Sequence, residues 1–190
     1  MKAVFHRGFR VCLALWLATS GGAQGEVIES SEQEVKAAFV YNFAKFVQWP
    51  EPDGAPTPGP IRICILGTNP FGSALERAVR GKSVNNRKVV ILYPRSSTQA
   101  SECELAFIPA SEEPTLGEIL ARLGPQPILT VSDIQRFSEQ GGVIGLKMDK
   151  NRVRFEVNMV AARKAGLKLS SQLLRVASHV TGQLDDAGIP

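Results

Sequence analysis

The sequence contains few of the residue types from which enzymes build catalytic and metal sites. It has two histidines and three cysteines among 190 residues, and outside residues 1–25 only His179, Cys64 and Cys103 remain. There is no Gly-x-Ser-x-Gly motif, and a hydrolase triad would have to use His179, which the pattern places in the final helix. Carboxylates are not clustered, so a zinc site is not expected. We therefore predict that the protein is not an enzyme, with no catalytic residues, no metal and no cofactor.

A concentrated positive charge is also missing once the basic residues are located. The net charge of +4 depends on Lys2, Arg7 and Arg10, because residues 1–25 contain no acidic residue. Without these three, 19 basic residues face 18 acidic ones. Nucleic-acid binding requires a strongly cationic face, so nucleic acid is not an expected partner.

Residues 1–25 have the pattern of a secretory signal peptide. A basic start precedes a short apolar run from Val11 to Thr19, and small residues follow, which predicts cleavage after Ala23 or Gly25. The alternative is an uncleaved membrane anchor, but a spanning helix needs about 20 apolar residues. Cys12 lies at the start of the apolar run and not at the cleavage site, which argues against a lipoprotein. We expect residues 26–190 to form one exported domain, with an ordered core at about 33–181.

Export changes the interpretation of the two remaining cysteines. In an oxidising compartment, Cys64 and Cys103 are more consistent with a disulfide than with a metal site or a nucleophile. Such a bond would stabilise the fold by about 4 kcal/mol in the chain-entropy model. The alternative is that both are buried core thiols.

The first predicted helix, from about Gln33 to Val47, is unusually apolar. A surface helix needs one apolar stripe, whereas this segment has nearly two. One explanation is that the helix lies between the sheet and another helix. The other is that one face contacts a partner or a second copy of the chain. In that case we expect the contact residues to be the aromatic residues Tyr41, Phe43, Phe46 and Trp49.

After a proline-rich loop at 50–60, short apolar runs alternate with helical patterns. The predicted strands are 61–66, 88–93, 105–108 and 128–131. The predicted helices are 69–80, 115–123 and a short one from Ser132 or Asp133 to Gly141.

The C-terminal part has a different pattern. Two strands are predicted at 143–148 and 152–157, joined by a hairpin turn at 149–151. Two helices follow, at 159–165 and 170–180, and residues 185–190 are expected to fray. The fold class is therefore α/β: a single domain with a mixed, mostly parallel sheet, an antiparallel C-terminal hairpin at one edge and helices on both faces.

Two loops at predicted strand ends are the candidate ligand sites. Gly67, Thr68 and Asn69 follow a strand and open a helix, an arrangement that presents backbone N–H groups to an anion. Ser132 and Asp133 fall at another strand end, where open α/β sheets bind ligands. The alternative is that these residues only form turns and caps.

Taken in order, several stretches resemble the YfiR-like family of periplasmic proteins. The resemblance runs from about Glu34 to Val180. Its most specific parts are Trp49-Pro50 after the aromatic helix and the late run from Arg154 to Asn158. The other matching stretches are 35–48, 64–67, 70–72, 128–133, 141–144, 152–153, 165–167 and 170–174.

The resemblance implies a periplasmic repressor. Such proteins bind the periplasmic domain of an inner-membrane diguanylate cyclase and hold it inactive, which lowers cyclic di-GMP signalling and biofilm growth. An OmpA-like outer-membrane lipoprotein can capture the repressor, and members can form homodimers. Cys64 and Cys103 match the positions of a family disulfide. This chain has no second cysteine pair in its C-terminal half, so a structural bridge is a simpler interpretation than redox sensing. A periplasmic small-molecule-binding sensory domain is the alternative function.

Overall fold

The computed structural model describes residues 23–50, 59–96 and 98–182. The expected signal peptide therefore lies almost wholly outside the described residues, as do most of the proline-rich loop and the C-terminal segment expected to fray. Within the described ranges, no helix is both long enough and apolar enough to cross a bilayer.

The described residues form five α-helices and ten strands. The helices are α1 (Ala23–Lys45), α2 (Ala74–Val79), α3 (Leu116–Leu123), α4 (Met159–Lys164) and α5 (Ser171–Val176). The strands are β1 (Val47–Gln48), β2 (Ile61–Ile65), β3 (Ser83–Val84), β4 (Arg87–Leu92), β5 (Leu105–Ile108), β6 (Leu129–Ser132), β7 (Ile144–Asp149), β8 (Arg152–Asn158), β9 (Lys168–Leu169) and β10 (His179–Thr181). Two 3-10 helices lie at Gln99–Glu102 and Ala110–Thr115.

Eight strands form one mixed sheet in the order β10-β8-β7-β6-β5-β2-β4-β3. Only the pairs β7–β8 and β3–β4 are antiparallel, and the other five neighbours are parallel. β1 and β9 form a separate two-stranded sheet. The predicted fold class, a mostly parallel mixed sheet with an antiparallel C-terminal hairpin, is therefore confirmed.

Alternation along the central strands divides the core between the two faces of the sheet. Ile63 of β2 and Phe107 of β5 point to the face covered by α1 and α2. Cys64 and Ala106 point to the opposite face, where α3 packs. The period of two that defines a strand explains this division.

Three predicted helices differ from the structure. Val47 does not belong to the first helix, which begins at Ala23, because Val47 pairs with Leu169 in the small sheet. The second helix begins at Ala74 and not at Asn69, since Gly72 has a φ of 52°. No helix follows Asp133: the chain there forms turns, and Arg136 has a φ of 56°, which interrupts a right-handed helix.

The C-terminal end also differs from the prediction, because His179 lies on a strand and not in a helix. α5 ends at Val176, and Ala177 is extended. The Ser178 amide then donates to the carbonyl of Phe155 at 2.8 Å, which places β10 beside β8. The hairpin is therefore not the outermost edge of the sheet. The short strand β3 was not predicted.

We predict that Phe43→Ala destabilises the protein by about 3–5 kcal/mol, the usual cost of truncating a buried aromatic ring. Phe43 is 1% exposed, and its ring packs 5.0 Å from that of Phe155, measured between centroids. Chemical denaturation measures the loss. The control is Val35→Ala on the same helix, since Val35 is 40% exposed and should change stability by less than about 0.5 kcal/mol. Equal effects of the two substitutions would contradict this packing.

Candidate functional site

The aromatic residues proposed as a contact region have different environments. Phe43 is part of the core, packed against Phe39 and Phe155, so the structure contradicts its assignment to an exposed face. Tyr41 is only partly buried, and the Lys45 ammonium lies 4.4 Å from the centre of its ring. The ammonium covers one face of the ring, and the side chain as a whole stays partly exposed. Tyr41 therefore remains a candidate contact residue.

Phe46 and Trp49 connect the end of α1 to the rest of the domain. Both are partly buried against the main core. The Phe46 carbonyl accepts a hydrogen bond from the Ser170 amide at 2.9 Å. The Trp49 indole N–H donates to the carbonyl of Glu104 at 2.9 Å. These two residues hold the segment after α1 in place, and only their outer edges could meet a partner.

Glu104 is a structural centre that the sequence alone did not indicate. Its carboxylate accepts hydrogen bonds from the Arg62 main-chain amide at 2.8 Å and from the Arg87 guanidinium at 2.6 Å. The Arg62 guanidinium lies 3.2 Å from the same carboxylate. The available signal was Arg62 inside an otherwise apolar strand, because a buried strand carries a charge only where a partner exists.

Cys64 and Cys103 form a disulfide, with their Cα atoms 6.0 Å apart. This is the pairing that the resemblance implies. Cys64 lies on β2, and Cys103 lies two residues before β5, the neighbouring parallel strand. Both residues are buried on the α3 face of the sheet. The bond therefore joins β2 to the segment that leads into β5, inside the core.

The first predicted ligand loop, residues 67–69, is filled by side chains from another part of the domain. β2 pairs with β4 on one side and β5 on the other, so Gly67 lies at the topological switch point where ligands commonly bind. A Cβ atom on Gly67 would lie 2.1 Å from Oε1 of Glu112. The Glu112 carboxylate thus sits against this loop and would repel an anion. The Thr68 amide donates to the Ser111 hydroxyl, and Asn69 accepts from the Phe71 amide in a local turn.

In the second loop the structure separates the roles of Ser132 and Asp133. Ser132 is fully buried, and its hydroxyl donates to the Ile108 carbonyl and accepts from the Ile134 amide. It is therefore a turn residue and not a ligand residue, which corrects that prediction. Asp133 lies beside an open cleft, and its Oδ2 is 3.0 Å from the Lys36 ammonium on α1.

The cleft next to Asp133 has a volume of 490 Å³ and a lining of mixed charge. It lies between the turns after β6 and the start of the β7–β8 hairpin. The charged residues that line it are Lys36, Asp133, Arg136, Glu139, Lys147 and Glu156. Burial lowers the pKa of Lys36, but hydrogen bonds to Glu32 and Asp133 outweigh burial and leave this pKa above its ordinary value. Lys36 is consequently charged at neutral pH.

No group of three or more histidine, cysteine or carboxylate side chains is placed to hold a metal ion in the described part of the chain. Asp133 Oδ1 is buried without a hydrogen-bond partner among those residues.

Fold and site together define a single α/β domain with a buried disulfide between β2 and the segment before β5, and a charged cleft at the carboxyl edge of its sheet. The YfiR/HmsC-like family matches residues 33–178, so the chain belongs to this family. Its members are periplasmic regulators of diguanylate cyclase signalling and not catalytic proteins.

Two solved structures are distantly similar to the chain. One is a conserved domain protein from Vibrio cholerae, with 10% sequence identity and a TM-score of 0.48. The other is an ABC domain in complex with L-Trp from Streptococcus pneumonia, with 12% identity and a TM-score of 0.41. Each match covers 63% of this chain and 54% of the other. The chain thus spans about half the length of the solved chains that it matches.

We predict that the chain from residue 26 onward, purified from the periplasm, contains no free thiol before reduction and two after it. Thiol titration under denaturing conditions measures both values. Reduction or Cys103→Ser should lower the free energy of unfolding by about 4 kcal/mol, since the bond closes a loop with a sequence separation of 39. Two free thiols in unreduced protein would refute the disulfide.

We also predict that Tyr93 ionises at unusually high pH. Burial, together with a hydrogen bond from its hydroxyl to Glu76, raises the pKa of Tyr93 to about 12. Because the folded-state pKa exceeds the unfolded value of about 10, this stabilising effect is complete below about pH 10 and is lost as the pH rises through 12. Tyrosinate absorbance measures the titration, and Tyr93→Phe assigns it. The matched variant Glu76→Gln should lower the pKa of Tyr93, and an unchanged titration in that variant would contradict the contact.

Proposed function

We propose that this protein is exported through its N-terminal signal peptide and represses an inner-membrane diguanylate cyclase by binding the cyclase's periplasmic domain. The observation that carries the proposal is the family match over residues 33–178. That range includes most of α1, the disulfide and most strands of the main sheet. A disulfide inside the core is also in keeping with an oxidising compartment.

The proposed mechanism is stoichiometric and involves no turnover. A protein that binds one conformation of the cyclase more tightly than another shifts the cyclase toward that conformation. Binding the inactive form thus lowers cyclic di-GMP. Capture of the repressor by an OmpA-like outer-membrane lipoprotein would release the cyclase, and two copies of the chain could act as a homodimer.

Within this proposal, the contact region is the outer side of α1 and the segment after it. Tyr41 contributes the exposed part of its ring, and Phe46 and Trp49 contribute their outer edges. Phe43 is left out because it is buried. Aromatic side chains with one buried and one exposed side are common anchors in protein interfaces.

The alternative, a small-molecule sensory domain that uses the strand-end loops, has less support. Asn69 and Ser132 already form hydrogen bonds within the domain, and Glu112 lies against Gly67. A ligand at either loop would have to replace these contacts.

We predict that deleting the gene raises cellular cyclic di-GMP several-fold, because a brake on the cyclase is removed. The full chain should restore the original level. The same chain without residues 1–25 should not, since it would stay in the wrong compartment. Tyr41→Ala should restore the level only in part, with Val176→Ala as a control at an exposed residue outside α1. Cyclic di-GMP is quantified by mass spectrometry. An unchanged level on deletion would reject the proposed function.

A further inference from the structure

The strand β7 extends beyond its neighbour β6. β6 ends at Ser132, and its pairing with β7 covers only Ile144 and Gly145. β7 continues to Asp149 in register with β8. Beyond Gly145, therefore, one side of β7 has no neighbouring strand among the described residues.

Alternation in the hairpin determines which main-chain groups lie on that side. The Asn158 amide donates to the Val143 carbonyl at 2.8 Å, so this position, one residue before the register of β7 and β8, is of the hydrogen-bonded type, although the Val143 amide itself donates to the Thr130 hydroxyl. Bonded and non-bonded pairs alternate along an antiparallel ladder. Since Leu146 lies opposite Phe155 and Met148 opposite Val153, both are non-bonded pairs. The N–H and C=O of Met148 and the C=O of Leu146 therefore point away from β8.

The open edge of β7 faces the 490 Å³ cleft and not bulk solvent alone. Leu146 and Met148 line the cleft on one side, and Gln135 and Phe137 line it on the other. A strand paired with β7 on this side would lie about 4.8 Å from it. The cleft occupies that position, and the residues after β6 form its opposite wall.

The opposite wall of the cleft is held in place by its own contacts. Ser132 fixes the turn through hydrogen bonds to Ile108 and Ile134. Arg136 adopts a left-handed conformation, and the two residues after it pack against β7, since a Cβ atom on Gly145 would lie 3.5 Å from both Phe137 Cβ and the Ser138 nitrogen. Phe137 is buried in the α3-side core. The vacancy beside β7 is thus part of the fold.

Two features of the cleft correspond to the chemistry of a polypeptide. The outward groups of Met148 include one donor and one acceptor, which an extended main chain satisfies together. The exposed Met148 side chain, 47% accessible, is an adaptable apolar contact.

The geometry points to strand addition: an extended segment of a partner protein pairs with β7 at Leu146 to Met148 and lies in the cleft beside Asp133. The charges that line the cleft are largely paired with one another, as in Arg136 with Glu139 and Lys147 with Glu156. The segment is therefore selected by its main chain and by apolar side chains at alternate positions. This inference rests on the proposed function only for the identity of the partner, and its test does not use the cyclase.

The test is selection from a displayed library of random peptides against the immobilised chain from residue 26 onward. We expect enriched peptides to bind the wild type and Val176→Ala equally well, since Val176 is exposed and lies outside the cleft, and to bind Met148→Thr somewhat more weakly because the apolar side chain is lost. Met148→Pro should bind about tenfold more weakly, because it removes the outward N–H. Proline is tolerated where a strand N–H faces away from its ladder, and circular dichroism checks the fold of each variant.

A second variant covers the case in which Met148→Pro fails to fold. Gln135→Trp changes an exposed residue on the opposite wall and should also block binding by filling the cleft. Synthetic copies of an enriched peptide, each with one N-methyl group, test the pairing directly. Binding should be lost when the methyl group is at every second residue and kept when it is at the residues between, because only alternate N–H groups of a strand face its neighbour.

Three results would overturn the inference. The first is a library without enriched peptides, and the second is peptides that bind Met148→Pro or Gln135→Trp as tightly as the wild type. The third is enrichment only after residues 183–190 are deleted, which would mean that the chain's own C-terminus occupies the edge. None of these results bears on cyclic di-GMP, so failure here and failure of the proposed function are distinguishable.

Discussion

The carboxylate and the main-chain carbonyl of Glu104 together hold three strands and the segment after α1 in place. The carboxylate accepts hydrogen bonds from Arg62 on β2 and Arg87 on β4, while the carbonyl accepts from Trp49 and from the Leu129 amide of β6. The Glu104 side chain is only 13% exposed. Replacing Glu104 would leave Arg62, 36% exposed, and Arg87, 16% exposed, without their shared carboxylate, which costs less than the ~3–5 kcal/mol of a fully buried pair. The amino ends of the central strands thus depend on one acidic residue, and the neighbouring Cys103 adds a covalent link to β2.

β7 extends beyond β6 because it begins opposite Val131, the third residue of β6, and is also the longer strand. β6 has four residues, whereas β7 has six and turns directly into β8. The tight turn at Lys150 and Asn151, both with positive φ, extends the β7–β8 pairing to Asp149. The notch beside β7 follows from this offset in register and from the greater length of β7, since β6 ends at Ser132 opposite Gly145.

The sequence predicts the elements whose pattern is local and misses those that depend on distant contacts. β5 has the predicted bounds 105–108, because a short apolar run stops at a proline. The pattern at β10 favours a helix, since nothing local indicates that Ser178 bonds to Phe155, 23 residues earlier. At the site, the strand-end position of Asp133 was predicted, but its partner Lys36 lies 97 residues away. The burial of Phe43 was missed because an aromatic run in one helix does not show which rings face the sheet.

Lys36 connects the outer side of α1 with the cleft beside β7, because it belongs to this aromatic helix and also lines the cleft. It is one turn from Glu32 and pairs with both Glu32 and Asp133, so the turn of α1 around Lys36 is anchored to the end of β6. A donor that reached Asp133 from the cleft would share this carboxylate with Lys36 and weaken that anchor. Strand addition at β7 would then change how firmly α1 is held against the sheet. Occupation of the cleft and the position of Tyr41, about one and a half turns further along α1, are in this way physically linked.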